Sequence, residues 1–521
     1  MIRAASLAAL SLLAALVVAC GGGAASGDAD PASAVPANAM LYAEAVIQPE
    51  GDLREDALAA TGKVLNTDDP EGKLREFIDK AFAESGDADL DYDKDIKPWL
   101  GERAALWLST RLDDEGDPSG AAVIDVTSGD DAMGAIRRGV KDEGRTLTKR
   151  SHNGVDYEVD EESDVAVGVV DDDLLLIGAE PEVKASIDAQ KGDSLAEADR
   201  YKKGVDALED DRLAHFYMDL RTLFQLAMKS EPQGQDFQTF QQFFPIDKLP
   251  PIVGSFQANG ERLALDVAVR GDSLKEMGPL AAGWTGGSTD LLKELPGDAW
   301  GAFGTPKYGE ALKQTLNAYA GMLGGPAMKN QLQSQYGIDI DADVLDWIGD
   351  VAFFVRGDTL QNLDGAAVIQ VTDSGKAERG FTKLVGLLQA AGGVKARPVN
   401  VDGADTAFSV SSPDLPKPIV LARSSERVVI AYGGEAAKAA FSPSEKLGDS
   451  ELYSSATDAL GEVDPSLLLS MPAVVKLVEA SGSADPSFQQ ARPYLDAYDV
   501  IAYGIESGDD GGRFRVVAGL K

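Results

Sequence analysis

Hydrophobic and polar residues alternate along much of the chain, in short runs rich in Val, Ile, Leu and aromatic residues. A period of two residues is typical of strands with one buried face, so these runs predict strands. Asp171-Asp172-Asp173 and Asn259-Gly260 fall between paired runs, as hairpin turns do. The predicted strands of the first half are Leu41–Ile47, Ala104–Ser109, Ala121–Val126, Val165–Val170, Leu174–Ile177 and Leu263–Val269.

Segments with helical spacing lie between these strands. Gly72–Glu84, Ala132–Glu143, Pro181–Gln190 and Arg221–Lys229 repeat apolar residues three or four positions apart and predict helices. Strands joined by hairpins, with helices interspersed, indicate an α+β fold with largely antiparallel sheets. The pattern leaves open whether the two halves of the chain share one sheet.

An internal repeat organises the chain. Gly120–Thr127 recurs as Gly365–Thr372 with one difference in eight positions, and Asp95–Glu102 resembles Asp343–Asp350. Further matches follow in the same order. They are Val35–Ala39 with Leu295–Ala299, Leu174–Lys184 with Val428–Lys438, and Ile252–Arg270 with Val500–Ala518. Ordered matches of this kind predict two tandem copies of one unit.

The repeat and the composition together predict five segments. Residues 1–19 form a lipoprotein signal peptide, and residues 20–38 form a flexible tether rich in Gly, Ala and Ser. Residues 39–271 form the first α+β unit, residues 272–294 a connector, and residues 295–521 the second unit.

The N-terminus carries an export signal. Arg3 precedes an apolar stretch, Ala4–Val18, that is shorter than the roughly 20 residues of a membrane-spanning helix. The stretch ends in Val17-Val18-Ala19-Cys20, which resembles the bacterial lipobox, and Cys20 is the chain's only cysteine. We expect a lipid anchor on Cys20 and the extracytoplasmic face of the cell membrane as the location. The alternatives are an ordinary secretory signal and an uncleaved helix.

Charge and residue counts exclude several classes of function. The net charge of −38 makes nucleic acid a repelled partner rather than a bound one. One cysteine excludes an internal disulfide framework and multi-Cys metal sites, and two histidines, His152 and His215, exclude a His-rich metal centre. No cofactor is expected. His152 lies in a polar turn and is expected in solvent, whereas His215 fits either face of its strand.

Two segments spell the nucleophile block of a class of secreted esterases. They are Gly192-Asp193-Ser194-Leu195 and Gly271-Asp272-Ser273-Leu274. Such enzymes activate the serine with a histidine, normally in an Asp-x-x-His segment near the C-terminus. Here no histidine follows His215, and Asp211 lies four residues before it instead of three. The repeat matches Asp193-Ser194 to Asp449-Ser450, just before a helical stretch in both halves, so we interpret these serines as helix N-caps.

Two acidic segments have the outline of a calcium loop. Asp91, Asp93, Asp95 and Glu102 form the first, and Asp339, Asp341, Asp343 and Asp350 form the second. Ile96 and Val344 occupy the position of the sharp-turn glycine. The alternative is an Asp-rich helical turn that places Trp99 and Trp347 in the core. The sequence leaves calcium binding open, and no metal ligand is assigned.

A family resemblance rests on Pro36, Tyr42, Trp99 and Gly101 and on their counterparts in the second half. With these residues the chain resembles the uncharacterised bacterial exported-lipoprotein family known as domain of unknown function three-three-five-two. The resemblance covers roughly residues 35–521 and implies an extracytoplasmic location. It supplies no activity and no catalytic residues.

The sequence therefore favours a non-enzymatic binding or scaffold module of the cell envelope, tethered to the membrane by its lipid anchor. A carrier of a lipid or small apolar ligand is the alternative, and a secreted hydrolase that uses carboxylates is a third. The identity of the protein or lipid partner is not readable from the sequence.

Overall fold

The computed structural model describes residues 29–85, 91–113, 116–230, 246–270, 287–319, 330–331, 333–335, 337–390, 395–412, 415–482, 486–508 and 511–521. These residues fall into two compact units, one within residues 29–270 and one within residues 287–521. The predicted signal peptide, Cys20 and the tether up to residue 28 lie outside the described residues. No helix in the described part of the chain is long and apolar enough to cross a membrane.

The first unit contains an antiparallel sheet whose spatial order is β4-β5-β6-β7-β3-β2-β1-β8-β9-β10. Its described strands are β1 Leu41–Val46, β2 Leu100–Leu112, β3 Pro118–Val126, β4 Leu147–His152, β5 Val155–Asp160, β6 Val165–Val170, β7 Leu174–Ala179, β8 Ala214–Asp219, β9 Pro251–Ala258 and β10 Arg262–Arg270. The two predicted hairpin turns join β6 to β7 and β9 to β10.

Six helices are described in the first unit, and four of them match the predicted helices within a few residues. They are α1 Gly51–Leu65, α2 Pro70–Ser85, α3 Gly129–Asp142, α4 Glu180–Gln190, α5 Asp199–Val205 and α6 Leu220–Ser230. Local chemistry sets their ends. The Ser128 hydroxyl accepts a hydrogen bond from the Asp131 amide and caps α3, while Asn66 ends α1 in the left-handed region.

The second unit contains an antiparallel sheet ordered β14-β15-β16-β17-β13-β12-β11-β18-β19-β20. Its described strands are β11 Gly301–Thr305, β12 Ile348–Arg356, β13 Asp364–Val371, β14 Lys395–Pro398, β15 Thr406–Ser411, β16 Ile419–Arg423, β17 Arg427–Tyr432, β18 Pro465–Ser470, β19 Tyr498–Gly508 and β20 Gly511–Leu520. Its described helices are α7 Asp290–Lys293, α8 Tyr308–Tyr319, α9 Ser374–Ala390, α10 Gly434–Phe441, α11 Glu451–Leu460, α12 Met471–Ala480 and α13 Pro486–Leu495. The predicted α+β class with antiparallel sheet is confirmed.

The sheet of the first unit buries side chains on both of its faces. On β7, Leu174 and Leu176 point into one core cluster and Leu175 into another, and all three are at most 3% exposed. Trp107 fills the first cluster, where its indole N–H donates to the Ser186 hydroxyl at 3.2 Å. Because both faces are covered, β7 is a continuous apolar run rather than an alternating one.

The N-terminal boundary of the first unit differs from the prediction. Residues 29–38, assigned to the flexible tether, begin with a short 3₁₀ turn at Pro31–Ala34 that the Asp30 carboxylate caps at the Ala32 amide. Val35 is fully buried, and its carbonyl accepts a 2.6 Å hydrogen bond from the Leu195 amide. Residues 29–38 therefore belong to the folded first unit and not to a flexible tether. Small residues resemble a linker in composition, yet they pack where backbones approach closely.

The predicted connector also contributes to a folded unit. Helix α7 lies inside residues 272–294, and its Leu292 is 1% exposed. Leu295 accepts a 2.7 Å hydrogen bond from the Leu447 amide, as Val35 does from Leu195. In both units, folded residues therefore precede the proline of the N-terminal sequence match, Pro36 in the first unit and Pro296 in the second.

Candidate functional site

The serine of the first esterase-like segment is buried in the first unit. Ser194 is 6% exposed and forms an isolated bridge with Pro36, whereas the second segment, residues 271–274, lies outside the described residues. Pro296 forms the matching bridge with Lys446, so Ser194 corresponds to Lys446 and not to Ser450. The predicted pairing of these serines was wrong by four residues, because short polar segments align poorly by sequence alone.

The helix-cap interpretation is correct for one serine and wrong for the other. The Ser450 hydroxyl accepts a 3.2 Å hydrogen bond from the Tyr453 amide at the start of α11. Ser194 precedes the 3₁₀ turn Leu195–Glu197, but its side chain makes no capping hydrogen bond. A three-residue turn has few free amides at its start, which leaves little for a cap to satisfy.

The two acidic segments fold into the same local structure, a single π turn at Tyr92–Ile96 and at Ile340–Leu345. In the first, the Asp95 carboxylate accepts from the Asp91 amide at 3.0 Å, and the Trp99 indole N–H donates to the Asp95 carbonyl at 2.6 Å. The second repeats these bonds at 2.9 and 2.8 Å, between Asp343 and Asp339 and between Trp347 and Asp343. Each turn therefore places its tryptophan in the core, as the alternative interpretation predicted.

Lysine and arginine side chains form ion pairs with carboxylates in and beside these turns. Asp93 pairs with Arg75, and Asp343 pairs with Lys383. Asp346, which follows the second turn, lies 2.7 Å from Lys313 and 3.0 Å from Lys376. The two lysines hold the pKa of Asp346 below its ordinary value. Within the described ranges, no group of three His, Cys, Asp or Glu residues is placed to hold a metal ion. The arrangement favours the Asp-rich turn over the calcium loop.

The two histidines have different surroundings. His152 sits at the β4–β5 turn, where its Nε2 lies 2.8 Å from Asp188 Oδ1. His215 on β8 faces the core and is 6% exposed. The sequence left its orientation open, and the structure shows that it belongs to a buried polar group of side chains.

This group is a buried polar arrangement of the first unit, and we call it the tyrosine–histidine cluster. It comprises Tyr42 and Glu44 on β1, Tyr201 on α5 and His215 on β8, each at most 7% exposed. Glu44 stands directly opposite His215 in the β1–β8 register. The Tyr42 hydroxyl donates to Glu44 Oε2, and the Tyr201 hydroxyl lies 2.9 Å from His215 Nε2.

Aromatic packing holds the cluster together. The rings of Tyr42 and Tyr201 meet edge to face with centroids 5.6 Å apart, and Tyr201 meets Tyr217 in the same way at 5.5 Å. Edge-to-face geometry is favourable for ring quadrupoles. The hydroxyl groups are therefore fixed in position by ring packing as well as by hydrogen bonds.

Burial controls the charge state of the cluster. It raises the pKa of Glu44 against the opposing effects of the Tyr42 hydrogen bond and Arg103, and it raises the pKa of Tyr42 well above its ordinary value. Burial, and then the charge of Arg212, lowers the pKa of His215 to about 3. The imidazole is therefore neutral near pH 7, and its Nε2 shares a hydrogen bond with the Tyr201 hydroxyl. Burial thus changes the pKa values of Tyr42, Glu44 and His215, so the cluster affects the stability of the first unit and its pH dependence.

The sequence contains one local signal for this cluster. Tyr42 and Glu44 are two positions apart on a strand and therefore share a face. In the equivalent strand β11, Ala302 and Gly304 stand at the corresponding positions. A Cβ at Gly304 would come within 2.7 Å of a methyl group of Thr289. Thr289 therefore packs closely against the backbone of β11, where β1 of the first unit carries a polar side chain. The polar cluster is a property of the first unit.

Family membership is shown by a match over nearly the whole chain. The family model described as "Protein of unknown function (DUF3352)" matches residues 1–503. The chain belongs to the DUF3352 family. This confirms the resemblance inferred from the proline, tyrosine and tryptophan motifs. No curated protein matches the chain.

Solved structures similar to this DUF3352 chain include those of the treponemal protein TP0453. Its crystal form I is 12% identical, covers 46% of this chain and 79% of its own, and gives a TM-score of 0.25. Crystal form III is 11% identical, covers 46% of this chain and 80% of its own, and gives a TM-score of 0.23.

Proposed function

We propose that this DUF3352 protein is a non-enzymatic binding or scaffold module, held by a lipid on the extracytoplasmic face of the cell membrane. The observation that carries the proposal is the position of Cys20, the sole cysteine, at the end of the apolar N-terminal segment. Among the described residues the first turn begins after Asp30, ten positions later. Ten residues span at most about 35 Å whatever their conformation, so an anchor on Cys20 keeps the first unit close to the bilayer.

The anchor is tested by Cys20→Ser. The substitution removes the thiol that receives the lipid, so the protein is expected to lose metabolic palmitate labelling and to appear in the medium. Ser26→Ala, six positions further along, is the matched control and should keep both label and membrane fraction. Palmitate incorporation into the Cys20→Ser chain would refute the anchor.

Two features support a scaffold role. The net charge of −38 disfavours nucleic acid and anionic lipid surfaces as partners and leaves proteins as the main candidates. We also propose that the chain is a tandem duplication, because the strand orders of the two units correspond pair by pair and the Pro36–Ser194 and Pro296–Lys446 bridges are equivalent. A duplicated unit offers two related surfaces to envelope proteins.

The scaffold role is tested by photo-crosslinking in the native envelope. A crosslinker placed at exposed Asp156 of the first unit, or at exposed Asp373 of the second, should yield a discrete product whose amount saturates with expression of the protein. Competition by uncrosslinkable protein is the control for specificity. A ladder of products without saturation at either site would contradict a specific scaffold role.

A lipid or apolar-ligand carrier is the second candidate, and one observation favours it. Phe303 and Phe353 are register partners in the second unit, stacked with centroids 6.3 Å apart, and Phe353 is 43% exposed. Ile430, 38% exposed, lies on the same face two strands away, opposite Ala367. Exposed aromatic pairs of this kind are typical of surfaces that contact apolar groups.

Native mass spectrometry of the secreted Cys20→Ser chain separates the two candidates. Excess mass that denaturation releases as a lipid, and that Phe353→Ser removes, would support the carrier. Ile430→Thr, on the same face, should weaken the same signal. A clean unliganded mass would support the scaffold instead.

A further inference from the structure

The sheet of the first unit ends in a strand that has a described neighbour on one side only. Strand β4 pairs with β5 at six consecutive positions without a bulge, and no other described strand pairs with it. In an antiparallel pair, backbone N–H and C=O groups point towards the partner at every second residue and away from it at the others. Half of the backbone groups of β4 are therefore directed away from the sheet. Such an edge can accept a further strand.

The turn between β4 and β5 determines which amides are directed outwards. Asn153-Gly154 has φ angles of 49° and 81°, the left-handed values of a two-residue type I′ hairpin turn. The residues that flank such a turn, here His152 and Val155, form a hydrogen-bonded pair, and hydrogen-bonded and non-hydrogen-bonded pairs then alternate along the strand. The residues of β4 whose amides and carbonyls face away from β5 are therefore Leu147, Lys149 and Ser151.

This edge lacks several features that commonly prevent the addition of a strand. β4 has six residues and contains neither proline nor glycine. The edge strand of the second unit, β14, has four residues and ends in Pro398, which has no N–H to donate. The protection that β4 does carry is a charge, because exposed Lys149 lies in the middle of the outward edge. A lysine there repels a second copy of the same strand but attracts a strand that carries carboxylates.

The chain around Lys149 is positively charged. Residues 137–152 contain six basic and two acidic residues, a formal charge of +4 within a chain of −38. Arg137 on α3 donates hydrogen bonds to both carboxylate oxygens of Glu158 on β5, and Glu158 stands directly opposite Lys149 in the β4–β5 register. Because residues directly opposite each other share a face, the C-terminal half of α3 lies over the sheet face that carries the Lys149 side chain.

Three cations of this surface have no partner. The carboxylates that are buried on this face, Glu158 and Asp160, are already neutralised by arginines of the same stretch. Three exposed basic residues form no hydrogen bond or ion pair with any described residue, namely Arg138, Lys141 and Lys149. Lys141 follows Arg137 by one helical turn and therefore projects from the same side of α3. A carboxylate that approaches this edge can form charge-assisted hydrogen bonds with these cations.

We propose that the outward edge of β4 binds an extended acidic segment of a partner protein, which adds to the sheet as an antiparallel strand. The proposal rests on the scaffold role and gives it a surface and a partner chemistry. The partner residue opposite Lys149 exchanges both main-chain hydrogen bonds with it and places its side chain on the same face. Acidic residues at that position and two residues to either side lie beside the unpaired cations.

Fluorescence anisotropy with the full chain in non-ionic detergent micelles tests this surface. The probe is a labelled ten-residue peptide of alternating Thr and Glu, which should bind saturably at low ionic strength. The same peptide with Lys in place of Glu should bind at least about tenfold more weakly. N-methylation of every Glu blocks the amides that face β4 and should weaken binding at least about tenfold, whereas N-methylation of every Thr alters only amides that face solvent and should change it by less than about threefold.

Substitutions in β4 separate main-chain pairing from charge. Ser151→Pro removes one outward N–H without a change of charge, at a position where an edge strand tolerates proline, and should weaken binding of the Thr–Glu peptide at least about fivefold. Ser151→Ala keeps the amide and is the matched control. Lys149→Glu should abolish binding, whereas Lys203→Glu, at an exposed position of α5, should preserve it. Lys149 is exposed, so its substitution keeps the test valid if Ser151→Pro does not fold.

Hydrogen exchange of the amides in β4 should slow when the Thr–Glu peptide binds. No saturable binding, equal binding of the Lys peptide, equal effects of the two N-methylations, or unchanged exchange in β4 would overturn the proposal. If the Cys20→Ser chain binds phosphatidylglycerol vesicles through Lys149 while the peptide leaves β4 unprotected, the basic surface belongs to the membrane and the proposal is wrong. Saturable crosslinking at Asp373 without peptide binding would overturn this proposal alone and leave the scaffold role standing.

Discussion

Asp125→Asn is expected to stabilise the first unit at neutral pH, although it removes the charge of a carboxylate that accepts a hydrogen bond. Asp125 lies near the end of β3 and is fully buried. Its Oδ2 accepts a 2.8 Å hydrogen bond from the Glu102 amide, while Oδ1 has no partner among the described residues. Burial raises the pKa of this carboxyl to about 6, and the charges of Asp173 and Glu102 add to the effect.

The magnitude follows from the pKa shift. A rise from 3.8 to about 6 is about 2 pH units, which corresponds to about 3 kcal/mol between the two protonation states. The folded state binds the extra proton, so this contribution to stability is complete below pH 3.8 and is lost as the pH rises through about 6. Asparagine keeps the acceptor for the Glu102 amide and avoids the buried charge. We expect a gain of about 1–3 kcal/mol at pH 7.5 and almost none at pH 4.

The second unit provides an internal precedent for this substitution. Gln370 occupies the equivalent end of β13, and its Oε1 lies 3.5 Å from the Asp350 amide. A neutral amide is therefore compatible with this position of the fold.

Urea unfolding at pH 7.5 and pH 4, followed by tryptophan fluorescence in a Cys20→Ser background, measures the difference between variant and parent. Trp99 and Trp107 report on the first unit. Asp156→Asn, an exposed substitution on β5, is the matched control and should change stability by less than about 0.5 kcal/mol. A loss of stability at pH 7.5, or an equal gain at both pH values, would refute the reasoning.

Two further predictions follow from buried contacts. Burial lowers the pKa of His215 to about 3, so the free energy of unfolding should fall by several kcal/mol as the pH drops from 6.5 towards 3. His215→Gln should reduce this pH dependence in urea unfolding, and an unchanged pH dependence would contradict the prediction. Gly304→Val should destabilise the second unit by about 1–3 kcal/mol, because its side chain would meet α7, whereas Gly386→Ala, with open space around it, should be neutral or stabilising in the same assay. Equal free energies of unfolding for these two variants would contradict the overpacking argument.

The sequence was a good guide wherever periodicity or a local motif determines structure. The alternation of hydrophobic and polar residues predicted the strands, and Asp171-Asp172-Asp173 and Asn259-Gly260 predicted the turns between them. The Asp-rich segments predicted that Trp99 and Trp347 are buried. These features depend on neighbours within a few positions of the chain. A sequence therefore carries them directly.

Features that depend on distant partners were missed. Tyr201 and His215 come together only because α5 packs beside β8, and no local spacing indicates this. The boundary at residue 38 failed for a related reason. Pro31–Ala34 has the composition of a linker, but it is ordered by contacts with α4 and with the segment around Leu195, which are distant in sequence. Ser194 was mispaired because a short polar motif fixes no register.

The docked N-terminal segment has a mechanical consequence. Beyond the Leu195–Val35 bond, the Ala37 amide donates to the Asp193 carbonyl at 3.1 Å, so this segment is fastened to the link between α4 and α5 before β1 begins. A pull applied at the N-terminus therefore loads that link first and reaches the sheet only after these bonds break. These hydrogen bonds therefore take up a force from any membrane attachment before that force reaches the sheet of the first unit.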